Sequence, residues 1–362
     1  MTKREEEVLN LIKENPLISQ KDCAAILNIS RSAVAGHIMN LSEKGYIKGK
    51  GYILKDEPYA VVIGGSNMDI QGSPSSAFIS RDSNPGTVHV SAGGVGRNIA
   101  ENLSRLGISV KLLTLLGNDL YGKQLLEDTK SAGVDMNHVK ILNESPTSTY
   151  LSILDEKKDM ISAISSMSIM DNFNTDYIDR NHRLINSASI LVIDANLPGE
   201  IINHLISKYR NMAIFIDTVS TAKAEKVKDI IGRFHTIKPN ILEAEVLSGM
   251  KIYSLDDMKK ASLVLLDKGV KRVFLTMGEK GILYSDSDQS FLYKSEPVKP
   301  VNTTGAGDAF TAALTYCFLM DYSIIQTLDF ASSASALTVL HEDTINKNLT
   351  VEYIQKMMKG DK

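Results

Sequence analysis

The sequence has few cysteines, no long apolar run and no large excess of either charge. Its two cysteines, Cys23 and Cys317, lie far apart in the chain, which argues against a disulfide framework or a cysteine-based zinc site. No apolar run approaches the roughly 20 residues of a membrane-spanning helix, and the polar start at residues 1–7 is unlike a secretory signal. We therefore expect a cytoplasmic protein with no membrane partner.

The charges nearly cancel, with 40 lysines and arginines against 43 acidic residues and a formal net charge of −3. A protein with this balance has no overall positive field, so binding to nucleic acid would need a local basic patch. The chain has 362 residues, of which 43% are hydrophobic. That length and composition predict a globular protein with a sizeable core and more than one domain.

Residues 1–57 are predicted to form a separate helical domain. Apolar residues recur at helical spacing in three segments, which are followed by a small glycine-containing hairpin. The helical segments are residues 5–14, 20–27 and 31–44, and the hairpin is residues 46–54. Three helices and a hairpin resemble a winged helix-turn-helix domain, whose third helix enters a major groove of DNA.

A local excess of positive charge favours DNA as the partner of this domain. Five basic residues stand against one acidic residue between positions 30 and 55, namely Arg31, Lys44, Lys48, Lys50 and Lys55 against Glu43. The candidate DNA contacts are Arg31, Ser32, His37, Asn40, Lys48 and Lys50. A docking or dimerisation domain with the same fold is the alternative interpretation.

From residue 58 the pattern changes to strands that alternate with helices, which predicts a second domain over residues 58–362. The predicted strands are residues 59–63, 110–116, 189–193, 213–217 and 272–276, and the predicted helices are residues 97–106, 120–132, 199–209 and 255–268. Alternation on this scale predicts an α/β fold with a doubly wound, mainly parallel sheet and helices on both faces.

Two stretches interrupt this alternation. Residues 71–91 are long, polar and rich in Ser, Pro and Gly, and residues 147–164 alternate as strand, turn and strand. Both are expected to form a small antiparallel β lid over the edge of the sheet. A lid of this kind keeps water away from a reactive group beneath it.

The segment Asn302–Asp308 (NTTGAGD) leads into an apolar helix at residues 309–320. Small residues at a helix start let successive N–H groups point at one spot, where the helix dipole also favours negative charge. Asp308 in the first turn can accept the proton of an attacking hydroxyl. The segment therefore predicts a phosphoryl-transfer site, although Asp is also a common helix cap and the turn lacks the Gly-Lys-Ser/Thr of a Walker A motif.

Two further glycine-rich segments accompany this turn. Residues 64–69 (GGSNMD) follow the first predicted strand, and residues 93–98 (GGVGRN) open a helix. Together with NTTGAGD, these segments resemble the ribokinase/PfkB carbohydrate-kinase family over residues 59 to about 357. The resemblance implies a ribokinase-like fold with a small β lid, and ATP-dependent transfer of phosphate to a hydroxyl group.

The resemblance also implies roles for individual residues. Asp308 would be the catalytic base, with Gly305, Ala306 and Gly307 as the anion hole. Substrate would contact Asn67, Asp69, Gly93, Gly94 and Asn98. ATP would contact Asn240, Thr276, Gly278, Gly305 and Gly307, and Asn240 with Glu243 in the segment KPNILE would order Mg²⁺. Without the resemblance, the alternative interpretations are a loop cap for Asp69, a helix-start residue for Asn98, a solvated helical side chain for Glu243 and an ordinary turn for Thr276 with Gly278.

Asn302 departs from the family pattern. Many members have Asp at this position, where it contributes to a monovalent-cation site beside the anion hole. Asn keeps an oxygen ligand but loses the charge, so the resemblance does not extend to activation by potassium.

Three segments resemble the pseudouridine-kinase branch of the family. They are residues 64–70, residues 163–169 ahead of 193–198, and residues 336–339 leading to 344–349. This resemblance implies that pseudouridine is phosphorylated to its 5′-monophosphate. The candidate hydrogen-bonding partners of the uracil edge are Ser165, Ser166 and Asn196, and the alternative for each is an ordinary loop hydrogen bond. Many members of the branch have an acidic residue where this chain has Ser166.

Other substrates and roles stay open. Only Arg81 and Arg97 are expected near the pocket, which favours an unphosphorylated substrate, and the family includes kinases of ribose, uridine and adenosine. An alternative of another class is a ligand-sensing transcription regulator that uses a kinase fold. Because the lid forms dimer contacts in this family, the resemblance also implies a homodimer.

Overall fold

The computed structural model describes residues 1–48, 58–294, 296 and 298–359. Its contacts divide the chain into two compact units, Met1–Glu57 and Pro58–Lys362. Within the described residues, no helix is both long and apolar enough to cross a bilayer.

The first unit contains three helices, α1 (Lys3–Glu14), α2 (Gln20–Leu27) and α3 (Arg31–Glu43). Each begins where a side-chain hydroxyl accepts a hydrogen bond from a backbone N–H of the first turn, at Thr2, Ser19 and Ser30. Their buried core consists of Val8, Leu9, Ile12, Ile18, Cys23, Val34, Leu41 and Ile47. The predicted helices are thus confirmed, whereas residues 49–54 of the predicted hairpin lie outside the described residues.

The second unit contains the strand and helix alternation that the sequence predicts. The strands are β1 (Tyr59–Ile63), β2 (Asn67–Pro74), β3 (Gly86–Gly93), β4 (Ser109–Leu113), β5 (Leu115–Gly117), β6 (Lys140–Leu142), β7 (Thr149–Leu154), β8 (Met160–Ser166), β9 (Ile190–Asp194), β10 (Ile214–Asp217), β11 (Thr236–Ile237), β12 (Arg272–Thr276), β13 (Ile282–Ser285) and β14 (Ser290–Tyr293). The helices are α4 (Val95–Arg105), α5 (Leu120–Ser131), α6 (Thr175–Arg180), α7 (His182–Ser187), α8 (Gly199–Lys208), α9 (Thr221–Ala224), α10 (Ile241–Ser248), α11 (Leu255–Asp267), α12 (Ala306–Leu319), α13 (Ile324–Val339) and α14 (Val351–Met358).

The main sheet has eight strands in the order β14-β13-β12-β11-β10-β9-β1-β4. The strands from β12 to β4 pair in parallel, and β13 and β14 add an antiparallel edge. On β1, Val61 and Ile63 pack into the core on one face, while Ala60 and Val62 pack into the core on the other. Burial on both faces explains why these strands are almost continuously apolar.

One predicted strand is divided in the structure. The sequence predicts a single strand at residues 110–116, but β4 ends at Leu113. The chain then leaves the main sheet, and Leu115 begins β5, which pairs in parallel with β6 in a separate two-stranded sheet. Because the leucines on both sides of the break (Leu112, Leu113, Leu115 and Leu116) are all buried, the apolar pattern runs across it and predicts one strand.

The lid is a second sheet of four strands in the order β3-β2-β7-β8. Its outer pairs are antiparallel as predicted, but its central pair, β2 with β7, is parallel. The lid also begins earlier than expected, because Asn67 pairs with Gly93 and Asp69 with Ser91. The segments predicted as substrate-binding loops are therefore the base of the lid.

Candidate active site

Polar residues gather where the parallel strands of the main sheet end. Gly64 follows β1, Asp194 ends β9, Asp217 ends β10, Lys238 follows β11 and Thr276 ends β12. In open α/β sheets, ligands bind at this carboxyl edge. The carboxylates of Asp194 and Asp217 and the β1 loop are buried here, so the edge holds charged groups away from bulk water.

The first turn of α12 faces this edge without a side-chain cap. Its N-cap is Gly305, in the left-handed region at φ 82°, and no side chain bonds to the free N–H groups of the turn. Those groups remain available to an anion. Asp308 lies in the first helical turn rather than at the cap, so the alternative that it only caps the helix is wrong.

Asp308 is buried and held in place by Asn98, which lies on α4. The Asn98 Nδ2 donates to Asp308 Oδ2 at 2.8 Å, and Arg97 Nη1 donates to Asn98 Oδ1 at 3.2 Å. The second bond fixes which end of the amide points at the carboxylate. Burial raises the pKa of the Asp308 carboxyl and the Asp217 carboxylate raises it further, while the Asn98 bond and Lys238 oppose both. A carboxylate with a raised pKa is a stronger proton acceptor.

The base of the lid presents a second polar pair. Asn67 Nδ2 donates to Asp69 Oδ1 at 2.6 Å, and burial raises the pKa of Asp69. A side chain at Gly93 would overlap the Asp69 carboxylate, and one at Gly94, where φ is 101°, would lie 2.5 Å from the Gly65 carbonyl oxygen. Glycine is therefore required at both positions for the segments at residues 64–69 and 93–98 to pack against each other.

Asp194 joins the glycine-rich segments and was not predicted as a site residue. Its Oδ2 accepts from the N–H of Gly65 and its Oδ1 from the N–H of Asn196, both at 2.8 Å. Burial raises the pKa of Asp194 to about 6. The available signal was a single acidic residue that closes the otherwise apolar strand β9.

Two of the predicted substrate contacts approach the same loop from other elements. The Asn196 amide lies against Gly65: its Nδ2 is 3.3 Å from the position that a Cβ atom would take on Gly65. Ser166 ends β8 and is exposed. The methyl group of the next residue, Met167, also lies 3.3 Å from the Cβ position on Gly65. The structure thus brings Asn196 and the end of β8 together beside Gly65.

The predicted metal residues form a helix cap. Asn240 and Glu243 make a reciprocal capping box at the start of α10, and Glu243 also accepts from Thr218 Oγ1 at 2.8 Å. Among the described residues, no three His, Cys, Asp or Glu side chains could hold a metal ion. A cation here would therefore take most of its ligands from phosphate oxygens and water, as Mg²⁺ commonly does.

A cavity of about 300 Å³ adjoins the first turn of α12. Its lining is mainly apolar and includes Thr276, Gly278, Phe310, Ser332 and Val339; Asn240 bridges to Thr276 beside it. The Ser332 hydroxyl is buried and has no hydrogen-bond partner among the described residues. A mainly apolar cavity next to an uncapped helix start fits the base and phosphates of a nucleotide.

The side chain of Asn302 is engaged at both ends. Its Nδ2 donates to the Glu342 carbonyl at 2.8 Å and its Oδ1 accepts from the N–H of Thr304 at 2.9 Å. The amide thus links the NTTGAGD segment to the loop after α13. The amide presents an N–H donor toward the Glu342 carbonyl, whereas a cation would need an oxygen ligand there.

Neither expected arginine is placed to bind a substrate phosphate. Arg97 is buried and bonds to Glu101, to the Ala92 carbonyl and to Thr129, and Arg81 is exposed in the lid turn. A phosphate would therefore meet no arginine cluster from these two residues.

The candidate DNA contacts of the first unit differ in exposure. Arg31, Ser32, Asn40 and Lys48 are exposed, His37 is half-buried, and Lys50 lies outside the described residues. Lys44, which was counted in the basic patch, instead bonds to both carboxylate oxygens of Glu5 at 2.8 Å. The charge of Lys44 is thereby neutralised within the unit.

Comparisons with known proteins agree with both units. Residues 57–351 match the pfkB family carbohydrate kinase model, and residues 1–48 match a winged helix-turn-helix DNA-binding model. The uncharacterized sugar kinase YeiI of Escherichia coli is 38% identical over 353 residues, covering 97% of this chain and 98% of that protein. The pseudouridine kinase of the same organism is 35% identical over 309 residues, covering 85% and 98%.

Solved structures show the same fold. A Clostridium perfringens protein described as a sugar kinase superimposes with a TM-score of 0.76 at 37% identity, covering 84% of this chain and 96% of that chain. Arabidopsis thaliana ribokinase, solved with ribose and ATP, gives a TM-score of 0.73 at 23% identity, covering 83% and 99%. The resemblance drawn from the glycine-rich segments is therefore confirmed: this chain belongs to the pfkB family of carbohydrate kinases, and its kinase unit is preceded by a winged helix-turn-helix unit.

Proposed function

We propose that this kinase transfers the γ-phosphate of ATP to the 5′-hydroxyl of pseudouridine. The observation that carries the proposal is the buried Asp308 carboxylate, which Asn98 fixes beside the uncapped first turn of α12. The similarity to E. coli pseudouridine kinase supports the choice of substrate. YeiI is similar to a comparable degree, so the substrate has to be decided by measurement.

In the proposed reaction, Asp308 accepts the proton of the 5′-hydroxyl, and the N–H groups of Gly305, Ala306 and Gly307 bind the transferred phosphoryl group. Substrate contacts come from Asn67, Asp69, Gly93, Gly94, Asn98, Ser166 and Asn196. Asn67 and Asp69 bind ribose hydroxyls, because their paired amide and carboxylate offer a donor and acceptors side by side.

The nucleotide is proposed to lie in the cavity beside Thr276, with Asn240 and Gly278 as further contacts. Mg²⁺, when bound, neutralises charge on the phosphates. Asn240 and Glu243 would hold it through water, because the Glu243 carboxylate already accepts from Asn240 and Thr218. No monovalent cation is included, because the Asn302 amide already links the two loops.

A substrate screen tests this proposal. ADP release by the full chain is measured with pseudouridine, uridine, ribose, adenosine and fructose, and pseudouridine is expected to give the highest kcat/KM. In the Asn196→Ala variant the preference for pseudouridine over ribose should fall about 10-fold, since one buried hydrogen bond to the base is lost. Asn203→Ala, on α8, where the amide donates to the Gly199 carbonyl, is the matched control. A higher kcat/KM with ribose would contradict the choice of pseudouridine and leave the kinase assignment intact.

We also propose that residues 1–57 bind DNA. The match to a winged helix-turn-helix DNA-binding model favours this role, and the exposed Arg31 near the start of α3 supplies positive charge. Binding of the full chain to duplex DNA should weaken steeply between 50 and 200 mM salt, and Arg31→Ala should reduce both the affinity and the salt slope. Binding that is absent at 50 mM salt, or insensitive to salt, would favour the docking or dimerisation role.

A further inference from the structure

Lys238 follows β11 and carries a nearly buried ammonium group with no assigned role. Only 12% of its side chain is exposed, and its Nζ lies 3.6 Å from Asp217 Oδ2. That distance is too long for a hydrogen bond of normal length. The ammonium and the Asp217 carboxylate are nevertheless close enough to interact as opposite charges.

Asp217 does not depend on this lysine for its hydrogen bonds. Its Oδ2 accepts from Thr311 Oγ1 at 2.8 Å, and its Oδ1 accepts from the N–H of Val219 at 2.9 Å. The ammonium of Lys238 is therefore held by charge rather than by short contacts. An ammonium has three N–H donors. Because a buried charge is costly unless its donors are hydrogen-bonded, we expect Lys238 to bind a further anionic partner.

The missing partner would lie at the first turn of α12. A side chain at Gly307 would stand 3.1 Å from Lys238 Nζ. Glycine at this position keeps the space between the ammonium and the N–H groups of the turn open. An anion that sits on those N–H groups therefore meets Lys238 from the side of the sheet.

We propose that Lys238 is a catalytic residue whose ammonium contacts the phosphoryl group as it is transferred; this inference rests on the proposed kinase reaction. In that step a bond forms between the substrate hydroxyl oxygen and the γ-phosphorus, and the bond from that phosphorus to the bridging oxygen of ADP breaks. Asp308 receives the hydroxyl proton, and the bond's electron pair leaves with ADP. Lys238 keeps its proton throughout and stabilises the negative charge on the moving group.

Replacement by Lys238→Met tests the inference. Loss of one preorganised donor to the transferred group is expected to lower kcat by about 10²–10³-fold. The affinity for a non-hydrolysable ATP analogue should fall more than the affinity for ADP, because ADP lacks the γ-phosphate. Lys238→Arg should retain more activity than Lys238→Met. Lys268→Met is the control, since that exposed lysine bonds to the Leu247 carbonyl.

The variant Lys238→Met leaves the Asp217 carboxylate without its cation, so it is paired with a variant that preserves folding. The double variant Asp217→Asn/Lys238→Met removes both charges, and it should melt close to wild type yet turn over as slowly as Lys238→Met. Asp217→Asn alone should be faster than the double variant. A kcat within about threefold of wild type in the folded double variant, or equal losses of ATP-analogue and ADP affinity, would overturn the inference. Failure of the proposed function itself would appear differently, as no turnover by the wild-type protein.

Discussion

Asp308→Asn is expected to lower kcat by about 10²–10⁴-fold while the KM for both substrates changes little. Asparagine keeps the size of the side chain and can still bond to Asn98, but its amide cannot take up the hydroxyl proton. The loss should therefore fall on the chemical step. The measurement is steady-state ADP release, with Asp229→Asn, an exposed residue, as the control.

The same substitution should stabilise the folded protein. Burial and Asp217 raise the pKa of Asp308 above its value in the unfolded chain. The stability associated with the protonated carboxyl is complete below the unfolded pKa of about 3.9 and is lost as the pH rises through the folded value. Asparagine does not ionise, so the variant keeps the stability that the wild-type protein loses when Asp308 ionises. The Tm of Asp308→Asn should therefore exceed that of the wild type by more at pH 8 than at pH 5. An active variant, or one whose Tm falls at pH 8, would contradict the placement of Asp308 as a buried base.

The glycine-rich segments at the candidate site were visible in the sequence, because each combines glycines with a polar residue in a fixed spacing. The helix caps Ser19 and Ser30 were visible for the same reason, since they act within their own turn. Local patterns of this kind reflect local geometry, so they survive folding unchanged.

The contacts that sequence reasoning missed join residues far apart in the chain. Asp217 bonds to Thr311, and Asp308 bonds to Asn98, which lies 210 residues away. Lys238 stood inside a recognised motif but received no role, because its neighbour Gly307 comes from a distant helix. The order of the strands and the packing of α4 and α12 bring these side chains to one edge, and the apolar pattern of the sequence does not specify that order.

Glu243 shows the opposite difficulty. Its spacing from Asn240 fits a metal-ordering element, yet the same spacing is that of a capping box, and the structure has the capping box. One pair of residues can serve both purposes when the cation is held through water. The sequence could not separate them because both depend on the same three-residue offset.

Gly305→Ala is the substitution in the proposed anion hole with the largest expected effect. Gly305 has φ 82°, and a side chain there would overlap the carbonyl oxygen of Thr344. Either the first turn of α12 or the loop after α13 must then move, and the N–H groups of the turn lose their common direction. We expect kcat to fall about 10²–10³-fold, the loss known for a removed oxyanion-hole donor, together with a lower Tm.

Gly107→Ala separates backbone strain from this clash. Gly107 has nearly the same backbone angle, φ 85°, but a side chain there would meet nothing within 4 Å. It should lose about 1–2 kcal/mol of stability from the left-handed conformation alone and keep wild-type kcat. If both variants lose Tm equally and both keep their activity, the contact between Gly305 and Thr344 does not hold the anion hole. If only Gly305→Ala loses activity, the α12 turn acts through its backbone and depends on the loop packed against it.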